Sequence, residues 1–401
     1  MASSQLTRTP SSASNRKTWT WSGWIKRANI GLGGGGNQVL FEGRDGSGFV
    51  EKLQITQDDL FEYDHDIAGQ DYTVNTVAKF RDTGGWYHIV WVKDTTQSTE
   101  SDRVKLYVNG TQISLSESQL GYPPQNYDGL INTTGVHYIG ANAGSEYYDG
   151  QMTHINFVDG TALTPTSFGE TDATTGIWKP KTSPSVTYGT NGYFLKFDNS
   201  ANMGLDSGGG SNSYATSGTV LQYKDTPSNN MQQLNVNDKY AAAISNSGRT
   251  ITNENNAGTG VMSTLAVNSG KWYWEAKVKD TASDTFNVGI RKTGLDNYNV
   301  NYWPYSANGW VYAVDGNIYH SGSSILNTGT TAAVGDIISF ILDLDAGTLK
   351  LKKNGSDIYS GNAVISSLNT GDYYHIVQGA SQAAVDFNFG DGYFGTTPIT
   401  S

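Results

Sequence analysis

The chain has 401 residues, of which 37% are hydrophobic and 16% are charged, and its formal net charge is −11. This length suits two domains of roughly 150–200 residues each, and the aromatic-rich, weakly charged composition argues against a disordered chain. The negative charge argues against nucleic-acid binding, because a polyanion would be repelled. The sequence contains no cysteine, which excludes disulfides and thiolate metal sites.

The first predicted element is a polar N-terminal arm, residues 1–15. Neither this arm nor any later window has the apolar run that a signal peptide or a membrane helix requires, so we expect a protein made in the cytoplasm and not inserted into a membrane. The first strand follows in TWTWSGWIK (18–26), where alternation places Trp19, Trp21 and Ile25 on one face and Trp24 on the other.

Strand-like segments continue through residues 16–197, which we predict to be the first domain. After a glycine-rich loop (31–36), strands are predicted at VLFEG (39–43), WYHIVWVKD (86–94), VKLYVNG (104–110), VHYIGA (136–141), MTHINFVDG (152–160) and GYFLKF (192–197). WYHIVWVKD is nearly continuous in apolar residues, as expected for a central strand that is covered on both faces. Asn109-Gly110 predicts a tight hairpin turn.

Residues 198–235 are small, polar and poor in strand formers, and we predict that they connect two domains. Residues 236–401 then repeat the earlier pattern as a second domain. Strands are predicted in KWYWEAKV (271–278), FNVGI (286–290), WVYAVDG (310–316), DIISFILDLDAGTLKLKKNG (336–355), YYHIVQG (373–379) and AVDFNFG (384–390), and Asn354-Gly355 predicts a second tight hairpin. No amphipathic helix of three turns is visible, so the sequence predicts an all-β protein of two sandwiches.

Several segments carry a family resemblance. TWSGWIK (20–26), WYHIVWVKD, VKLYVNG and YIGAN (138–142) resemble laminin-G-type, concanavalin A-like lectin/glucanase domains. SGKWYWEAKV (269–278), GDIISFILDLDAGTLKLKKNG (335–355) and DFNFG (386–390) resemble a SPRY-type domain. The resemblance implies two tandem concanavalin-like jelly-roll β-sandwiches.

A longer block is more specific. YDGQMTHINFVDGTALTPTSFG (148–169), continued by TGIWKPK (175–181) and YGTNGYFLKF (188–197), resembles a block of marine bacteriophage virion proteins. This implies a non-enzymatic, homo-oligomeric virion protein, namely a tail fibre, a spike or a head decoration component. The implied partners are other virion proteins and a host cell-surface glycan or protein. Two alternatives stay open: a glycan depolymerase on a glucanase-like sandwich, and a free bacterial lectin or adhesin.

Aromatic residues in predicted loops are candidate ligand-binding residues, because sugar rings stack on aromatic faces. The candidates are Tyr122, Tyr127, Tyr147 and Tyr148 in the first domain and Trp303, Tyr305 and Trp310 in the second. The alternative is that these side chains fold inward or pack against neighbouring subunits.

The acidic stretch FEYDHDI (61–67) comes nearest to the paired carboxylates of a glycoside hydrolase. Glu62, Asp64 and Asp66 would share a face in a strand, but the stretch resembles an exposed acidic loop, so no catalytic residue is predicted. Calcium is the cofactor that the aspartates in and just before this stretch would suit. The candidate calcium ligands are Asp58, Asp59, Asp64 and Asp66. No other cofactor is predicted. The scattered histidines form no metal motif, and we interpret His88 and His375 as hydrogen-bonded strand residues.

Overall fold

The computed structural model describes residues 4–31, 36–240, 242–253, 259–281, 287–293, 308–380, 383–390 and 394. Within these ranges there is no α-helix, and the chain forms thirty antiparallel β-strands and three single-turn 3-10 segments, Glu100–Asp102, Pro165–Ser167 and Tyr359–Gly361. It divides into two compact units, Met1–Gln222 with Thr226–Asn230, and Tyr223–Asp225 with Met231–Ser401. The predicted all-β fold of tandem sandwiches is confirmed.

The first unit consists of two large sheets and a hairpin. The eight-stranded sheet has the order β10-β6-β5-β4-β3-β11-β1-β16, the six-stranded sheet has the order β15-β12-β2-β7-β8-β9, and β13 pairs with β14. The strands are β1 (Gln5–Arg8), β2 (Thr18–Arg27), β3 (Gln38–Arg44), β4 (Val50–Ile55), β5 (Phe61–Ile67), β6 (Gln70–Thr76), β7 (Tyr87–Asp94), β8 (Val104–Val108), β9 (Thr111–Ile113), β10 (Leu115–Gln119), β11 (His137–Ile139), β12 (Gly150–Asp159), β13 (Gly169–Thr171), β14 (Trp178–Pro180), β15 (Tyr193–Leu195) and β16 (Ala215–Ser217).

One hydrophobic core lies between the two large sheets. Phe41 and Leu53 of the eight-stranded sheet and Trp91 of the six-stranded sheet are fully buried in it. Burial of side chains of this size contributes roughly 1.5–3 kcal/mol each. Strand β2 adds Trp19, Trp21 and Ile25 to this core. On the opposite face the Trp24 ring stacks on the His88 ring, with 4.7 Å between the ring centroids. The predicted faces of β2 are therefore confirmed.

A third layer covers the other face of the six-stranded sheet. Val90, Val92 and Val158 pack there against Phe168. The partly buried side chains around them are Tyr107, Leu163, Val186 and Tyr188, and most of this cover comes from residues 161–188. Strand β7 is thus apolar on both faces, because alternate residues enter the core and the outer layer, as the sequence predicts for a covered central strand.

The observed units differ from the predicted domain boundaries. Strand β1 lies inside the predicted arm, residues 1–15, and it pairs with β11 and β16 while Leu6 is buried in the core. Residues 198–222, predicted as linker, belong to the first unit and bury Tyr214 in the same core. Strands of three or four residues show no readable periodicity, and their partners lie far away in sequence, so the pattern alone does not reveal them.

The second unit consists of two seven-stranded sheets. Their orders are β17-β20-β29-β22-β23-β24-β25 and β18-β19-β30-β21-β26-β27-β28. The strands are β17 (Leu234–Tyr240), β18 (Ala242–Ser245), β19 (Thr250–Asn253), β20 (Thr259–Val267), β21 (Lys271–Thr281), β22 (Asn287–Lys292), β23 (Gly309–Ala313), β24 (Asn317–His320), β25 (Ser323–Asn327), β26 (Ile337–Asp343), β27 (Thr348–Lys353), β28 (Ser356–Asp357), β29 (Tyr374–Ala380) and β30 (Ala383–Asn388). Buried apolar side chains come from both sheets, including Ile290 from one and Trp274 and Phe340 from the other.

Both predicted tight hairpins are present. Asn109 and Gly110 have φ values of 49° and 83° between β8 and β9, and Asn354 and Gly355 have φ values of 50° and 83° between β27 and β28. Positive φ at both central residues is the geometry of a type I′ turn, which matches the twist of the flanking strands. The two domains therefore use the same turn chemistry, as their sequences predict.

Candidate functional site

The outer face of the eight-stranded sheet carries polar side chains. Successive residues of a strand point to opposite faces, and Phe41, Leu53 and Tyr63 point into the core. Their neighbours in sequence therefore point outward. We call the outward side chains of β3 to β6 the polar face; they are Glu42, Arg44, Lys52, Gln54, Glu62, Asp64, Asp66, Asp71, Thr73 and Asn75.

Strand β5 brings the three predicted carboxylates onto this face. Glu62, Asp64 and Asp66 alternate with buried residues along β5, which lies between β4 and β6 inside the sheet. The prediction that they share a face is confirmed. The prediction that FEYDHDI is an exposed acidic loop is wrong, because pairing on both sides makes it an inner strand.

Alternating charges form the centre of the polar face. Glu42, Lys52 and Asp64 are direct cross-strand partners on β3, β4 and β5. Lys52 Nζ lies 3.2 Å from Asp64 Oδ2 and 3.7 Å from Glu146 Oε2, and Arg44 Nε lies 2.8 Å from Glu42 Oε1. These ion pairs hold the ammonium group of Lys52 in a fixed position on the sheet.

Burial changes the ionisation of two carboxyl groups here. It raises the pKa of Glu42, although Arg44 opposes the shift. It also raises the pKa of Asp64 to about 6; Lys52 opposes this shift and the nearby carboxylate of Asp71 adds to it. Clustered groups with perturbed pKa values are a feature of functional sites.

A second polar row lies beside the first. Gln54 Nε2 donates to Glu62 Oε1 at 2.6 Å, and Asn75 Nδ2 donates to Glu62 Oε2 at 3.4 Å. The remaining side-chain oxygen of Gln54 and Oε2 of Glu42 are buried and have no hydrogen-bond partner in the described part of the chain. A buried acceptor left without a donor costs about 1–3 kcal/mol. Both atoms have almost no accessible surface, so they lie beneath the surface of the polar face and out of reach of a bound ligand.

Two carboxylates face each other at one end of the polar face. Asp66 and Asp71 are direct partners across the β5–β6 hairpin. Opposed residues in an antiparallel pair have Cβ atoms roughly 4.5–5.5 Å apart, and like charges in that position are destabilising. Asp71 also accepts a hydrogen bond from the Thr73 hydroxyl. This end of the face therefore favours a positively charged group.

Most of the sequence-predicted tyrosines of the first domain fold inward. Tyr122 is half-buried against the core, and the ring of Tyr127 makes an edge contact with His65 at 5.3 Å. The Tyr148 hydroxyl donates to the carbonyl oxygen of Lys26 at 2.8 Å. These three side chains contribute to packing, which was the alternative interpretation. Tyr147 is half-buried in the loop that also carries Glu146, the partner of Lys52.

The candidate aromatic residues of the second domain are only partly described. Trp310 lies in β23, and its ring stacks on His320 at 4.5 Å with an interplanar angle of 3°. The Tyr374 ring is tilted against the Trp310 ring, and the two ring centroids lie 6.1 Å apart. Trp303 and Tyr305 lie outside the described residues. The structure therefore shows Trp310 in contact with two other aromatic rings.

The candidate calcium ligands have separate partners. Asp59 forms ion pairs with Arg27, at 2.9 Å from a guanidinium nitrogen to Oδ1, and with Arg81, at 2.7 Å from Nε to Oδ2. Asp58 Oδ1 lies 3.8 Å from Lys79 Nζ. Asp64 and Asp66 belong to the polar face. In the described ranges no three histidine, aspartate or glutamate side chains come together to hold a metal ion, so the four aspartates do not converge on one point.

A buried serine–histidine pair is not arranged for nucleophilic catalysis. Ser22 Oγ lies 2.9 Å from His88 Nε2, and Trp178 Nε1 donates to His88 Nδ1 at 3.0 Å. An indole nitrogen can only donate, so Nδ1 carries the lone pair and Nε2 carries the proton. His88 thus donates to Ser22 and cannot take its proton. Its interpretation as a hydrogen-bonded strand residue is confirmed.

Sequence reasoning missed Glu42, Lys52 and Gln54. The sequence predicts a strand at VLFEG, and alternation from Phe41 places Glu42 on the outward face of that strand. The pattern does not predict a strand at VEKLQI (50–55), because Glu51 puts a charge at an inward position and hides the alternation.

None of the described residues forms a helix that is long and apolar enough to cross a membrane.

Comparisons with known proteins agree with this architecture. Residues 2–168 match the concanavalin A-like lectin/glucanases superfamily, and residues 271–392 match the SPRY domain family. The chain therefore carries a concanavalin A-like domain followed by a SPRY domain. Domains of these two kinds suggest a binding or adhesion role. No curated protein matches the sequence.

Solved structures similar to the chain include SPRY domains. The SPRY domain of human HERC1 shares 20% identity with a TM-score of 0.34, over 38% of this chain and 96% of that chain. Another human SPRY domain shares 16% identity with a TM-score of 0.31, over 38% of this chain and 96% of that chain. The TRIM65 PSpry domain shares 12% identity with a TM-score of 0.31, over 39% and 89%. The assignment of the second domain rests on the family match over residues 271–392.

Proposed function

We propose that the chain is a non-enzymatic structural protein of a bacteriophage particle, either a tail fibre or spike component or a head decoration component. We further propose that its polar face binds a glycan of the host surface. The observation that carries the binding site is the contrast between the two sheets of the first domain. One outer face is closed by the apolar layer around Phe168, whereas the other carries ordered polar side chains, among which Glu62, Asp66 and Asn75 are partly or fully exposed.

The chemistry of the polar face suits a glycan. Sugar hydroxyl groups both donate and accept hydrogen bonds, and the face offers donors at Lys52 and Asn75 beside the acceptor oxygens of Glu62. Side chains held by their neighbours lose little freedom on binding, which favours affinity. Many copies on one particle would convert weak single contacts into strong attachment.

The binding site is tested by a paired substitution. Glu62→Gln with Asn75→Ala is expected to weaken glycan binding by the full chain about tenfold, because two hydrogen-bonding groups of roughly 0.5–1.5 kcal/mol each are changed. A glycan array followed by calorimetry on the strongest ligand measures this. Gln112→Ala, on the exposed edge strand β9, is the control and is expected to bind normally. Equal binding by both variants would exclude the polar face, and binding only to a host protein would exclude the glycan.

The particle assignment is supported by the resemblance of residues 148–197 to phage virion blocks, and it has its own test. Mass spectrometry of purified particles is expected to detect the chain, and a cryo-electron microscopy map is expected to show two β-sandwiches per copy on the head or the tail. Absence of the chain from purified particles would refute the proposal and favour a free bacterial lectin or adhesin.

One observation favours a second candidate, a glycan depolymerase. Glu62, Asp64 and Asp66 lie on one face of an inner strand, and the pKa of Asp64 is raised to about 6, as in carboxyl groups that donate protons in glycoside hydrolysis. The proposed binding role predicts no release of reducing ends from host polysaccharides. Release that is abolished by Glu62→Gln would establish the depolymerase instead.

A further inference from the structure

We infer that residues 124–128 form an acid-responsive cover of the first domain: when His65 takes up a proton, this covering segment swings outward and water reaches the buried row of Glu51, His65 and Tyr72. The row lies on the inner face of the eight-stranded sheet, opposite to the polar face. Opening of the covering segment therefore does not depend on glycan binding by the polar face.

His65 lies in the interior without a hydrogen bond. Its side chain is fully buried, and neither ring nitrogen has a partner in the described ranges. Glu51 of β4 and Tyr72 of β6 are its direct cross-strand partners. An imidazolium in this place would carry a charge and two N–H groups that find no acceptor, which is costly in the interior. His65 therefore fits the closed domain only as the neutral ring.

The charges that face His65 are paired without it. Lys93 Nζ lies 2.6 Å from Glu51 Oε1, so a proton on His65 adds net positive charge to the interior. Burial is the largest cause that lowers the pKa of His65 to about 4; Glu51 opposes this shift, and Lys93 and Arg16 add to it. The titratable and charged groups around the ring are Tyr63 and Asp66 of β5, Glu51 of β4, Tyr72 of β6, Lys93 of β7, Arg16 before β2, and Tyr127.

The ring of Tyr127 covers His65. The Tyr127 centroid lies 5.3 Å from the His65 centroid and 5.2 Å from the Tyr72 centroid, and both contacts are edge-on at 67°. His65 and Tyr72 are buried, whereas Tyr127 is half-buried. The Tyr127 ring therefore lies between this row and the solvent, and its displacement would hydrate His65.

The covering segment is held by few contacts. Every residue in it except Tyr127 is exposed. The carbonyl oxygen of Thr95 accepts the Asn126 N–H at 2.7 Å, and the Thr95 hydroxyl donates to the Tyr127 carbonyl oxygen at 2.9 Å. Gln125 Nε2 donates to the Thr96 carbonyl oxygen at 3.1 Å. A segment with little buried surface and exposed backbone hydrogen bonds opens at a low free energy.

The chain that follows the covering segment is anchored more firmly. Arg16 Nε donates to the carbonyl oxygen of Gly129 at 2.6 Å, and the Gly129 N–H donates to the carbonyl oxygen of Arg16 at 3.2 Å. Leu130 and Ile131 are buried, and their N–H groups donate to Glu51 Oε2. Opening therefore ends at Gly129 and leaves the core in place.

Acid favours the open segment because hydrated His65 binds a proton more strongly. The pKa of His65 is about 4 under the cover and has its ordinary value of 6.5 in water. Between these values the open form carries the proton and the closed form does not, so lowering the pH favours opening. The ratio of open to closed chains is expected to rise about twentyfold between pH 7 and pH 5.

Amide hydrogen exchange on the full chain measures the opening, with protection factors that correct for the pH dependence of exchange itself. The Asn126 and Tyr127 amides are expected to lose protection about twentyfold between pH 7 and pH 5, while the amides of β2 keep theirs. His65→Phe is expected to abolish this loss. His320→Phe removes a histidine of the second domain and is expected to retain it.

Tyr127→Ala tests the cover directly, even if His65→Phe fails to fold. Without the ring, the pKa of His65 is expected to rise from about 4 toward 6.5, as measured by NMR of the imidazole protons. Tyr147→Ala is the matched control, since it removes a half-buried tyrosine from another loop, and it is expected to leave this pKa unchanged.

Three results would overturn the inference. The first is unchanged protection of Asn126 between pH 7 and pH 5, or an equal loss in His65→Phe. The second is a loss of protection that β2 shares, because the whole domain would then unfold without a separate cover. The third is a pKa of His65 that stays at about 4 in Tyr127→Ala, because another group would then shield it.

Discussion

Replacing Lys93 with methionine is expected to destabilise the first domain by about 3–5 kcal/mol, because it leaves a buried carboxylate without its counter-ion. Lys93 Nζ lies 2.6 Å from Glu51 Oε1, and both side chains are fully buried. Lys93 belongs to β7 and Glu51 to β4, so the ion pair joins the two sheets across the core. A large effect follows from removing one partner, because the other charge stays in the interior.

The surroundings of Glu51 explain why it stays ionised. Its Oε2 accepts the backbone N–H groups of Leu130 at 2.6 Å and Ile131 at 2.8 Å, and the Tyr63 hydroxyl donates to Oε1 at 2.8 Å. Burial alone would raise the pKa of Glu51, but Lys93 and these donors outweigh burial and lower the pKa to about 2. Methionine cannot replace the ammonium group, so the carboxylate must then either stay charged or take up a proton.

Hydrogen exchange of the β4 and β7 amides measures this loss within the full chain. Lys79→Met is the matched control, because the Lys79 side chain is half-exposed and its Nζ lies 3.8 Å from Asp58 Oδ1. This substitution is expected to change the free energy of unfolding by less than about 1 kcal/mol. Glu51→Gln combined with Lys93→Met is expected to recover part of the loss, since glutamine stays neutral and keeps an acceptor for Leu130 and Ile131. Unchanged protection in Lys93→Met would show that the pair does not stabilise the core.

The strongest local patterns predicted the fold correctly. The spacing of Trp19, Trp21 and Trp24 gave the right faces for β2, and the two Asn-Gly pairs gave the right turns. These signals are local: a side chain points to one face because of its parity, and a turn forms because its residues tolerate positive φ. They require no knowledge of distant partners.

The candidate site was harder to predict because it depends on non-local pairing. Glu42, Lys52 and Asp64 meet only because β3, β4 and β5 pair in a particular register. Glu51 also obscured β4, since a buried charge that is paired across the core looks like an exposed residue in the sequence. In the same way, Tyr127 and Tyr148 appeared to be loop residues, and only the folded chain shows that their rings turn inward.

Acidification is expected to weaken the first domain through its buried histidines, and His65 gives the clearest test. Its side chain is fully buried on the inner face of β5, and neither ring nitrogen has a hydrogen-bond partner among the described residues. Burial lowers the pKa of His65 to about 4, from an ordinary value of 6.5. The pKa values of His88 and His137 are also lowered by burial, to about 3 and about 4.

The direction in which pH changes the stability of the first domain follows from proton binding at His65. Between pH 6.5 and 4 the unfolded chain binds a proton at His65 and the folded domain does not, so lowering the pH favours unfolding. The stability lost through His65 alone is about 2 kcal/mol at pH 5 and about 3 kcal/mol at pH 4. His65→Phe removes this titration and keeps a ring of similar size for the edge contact with Tyr127.

The variant is therefore expected to gain stability relative to the natural chain as the pH falls from 7 to 4, measured by hydrogen exchange of β4 and β5. His320→Phe in the second domain is the control, and it is expected to leave the pH dependence of the first domain unchanged. Since all other ionisable groups are common to both proteins, their difference isolates His65. Parallel loss of protection in the natural chain and in His65→Phe would contradict the assignment, because the acid sensitivity would then arise from other groups.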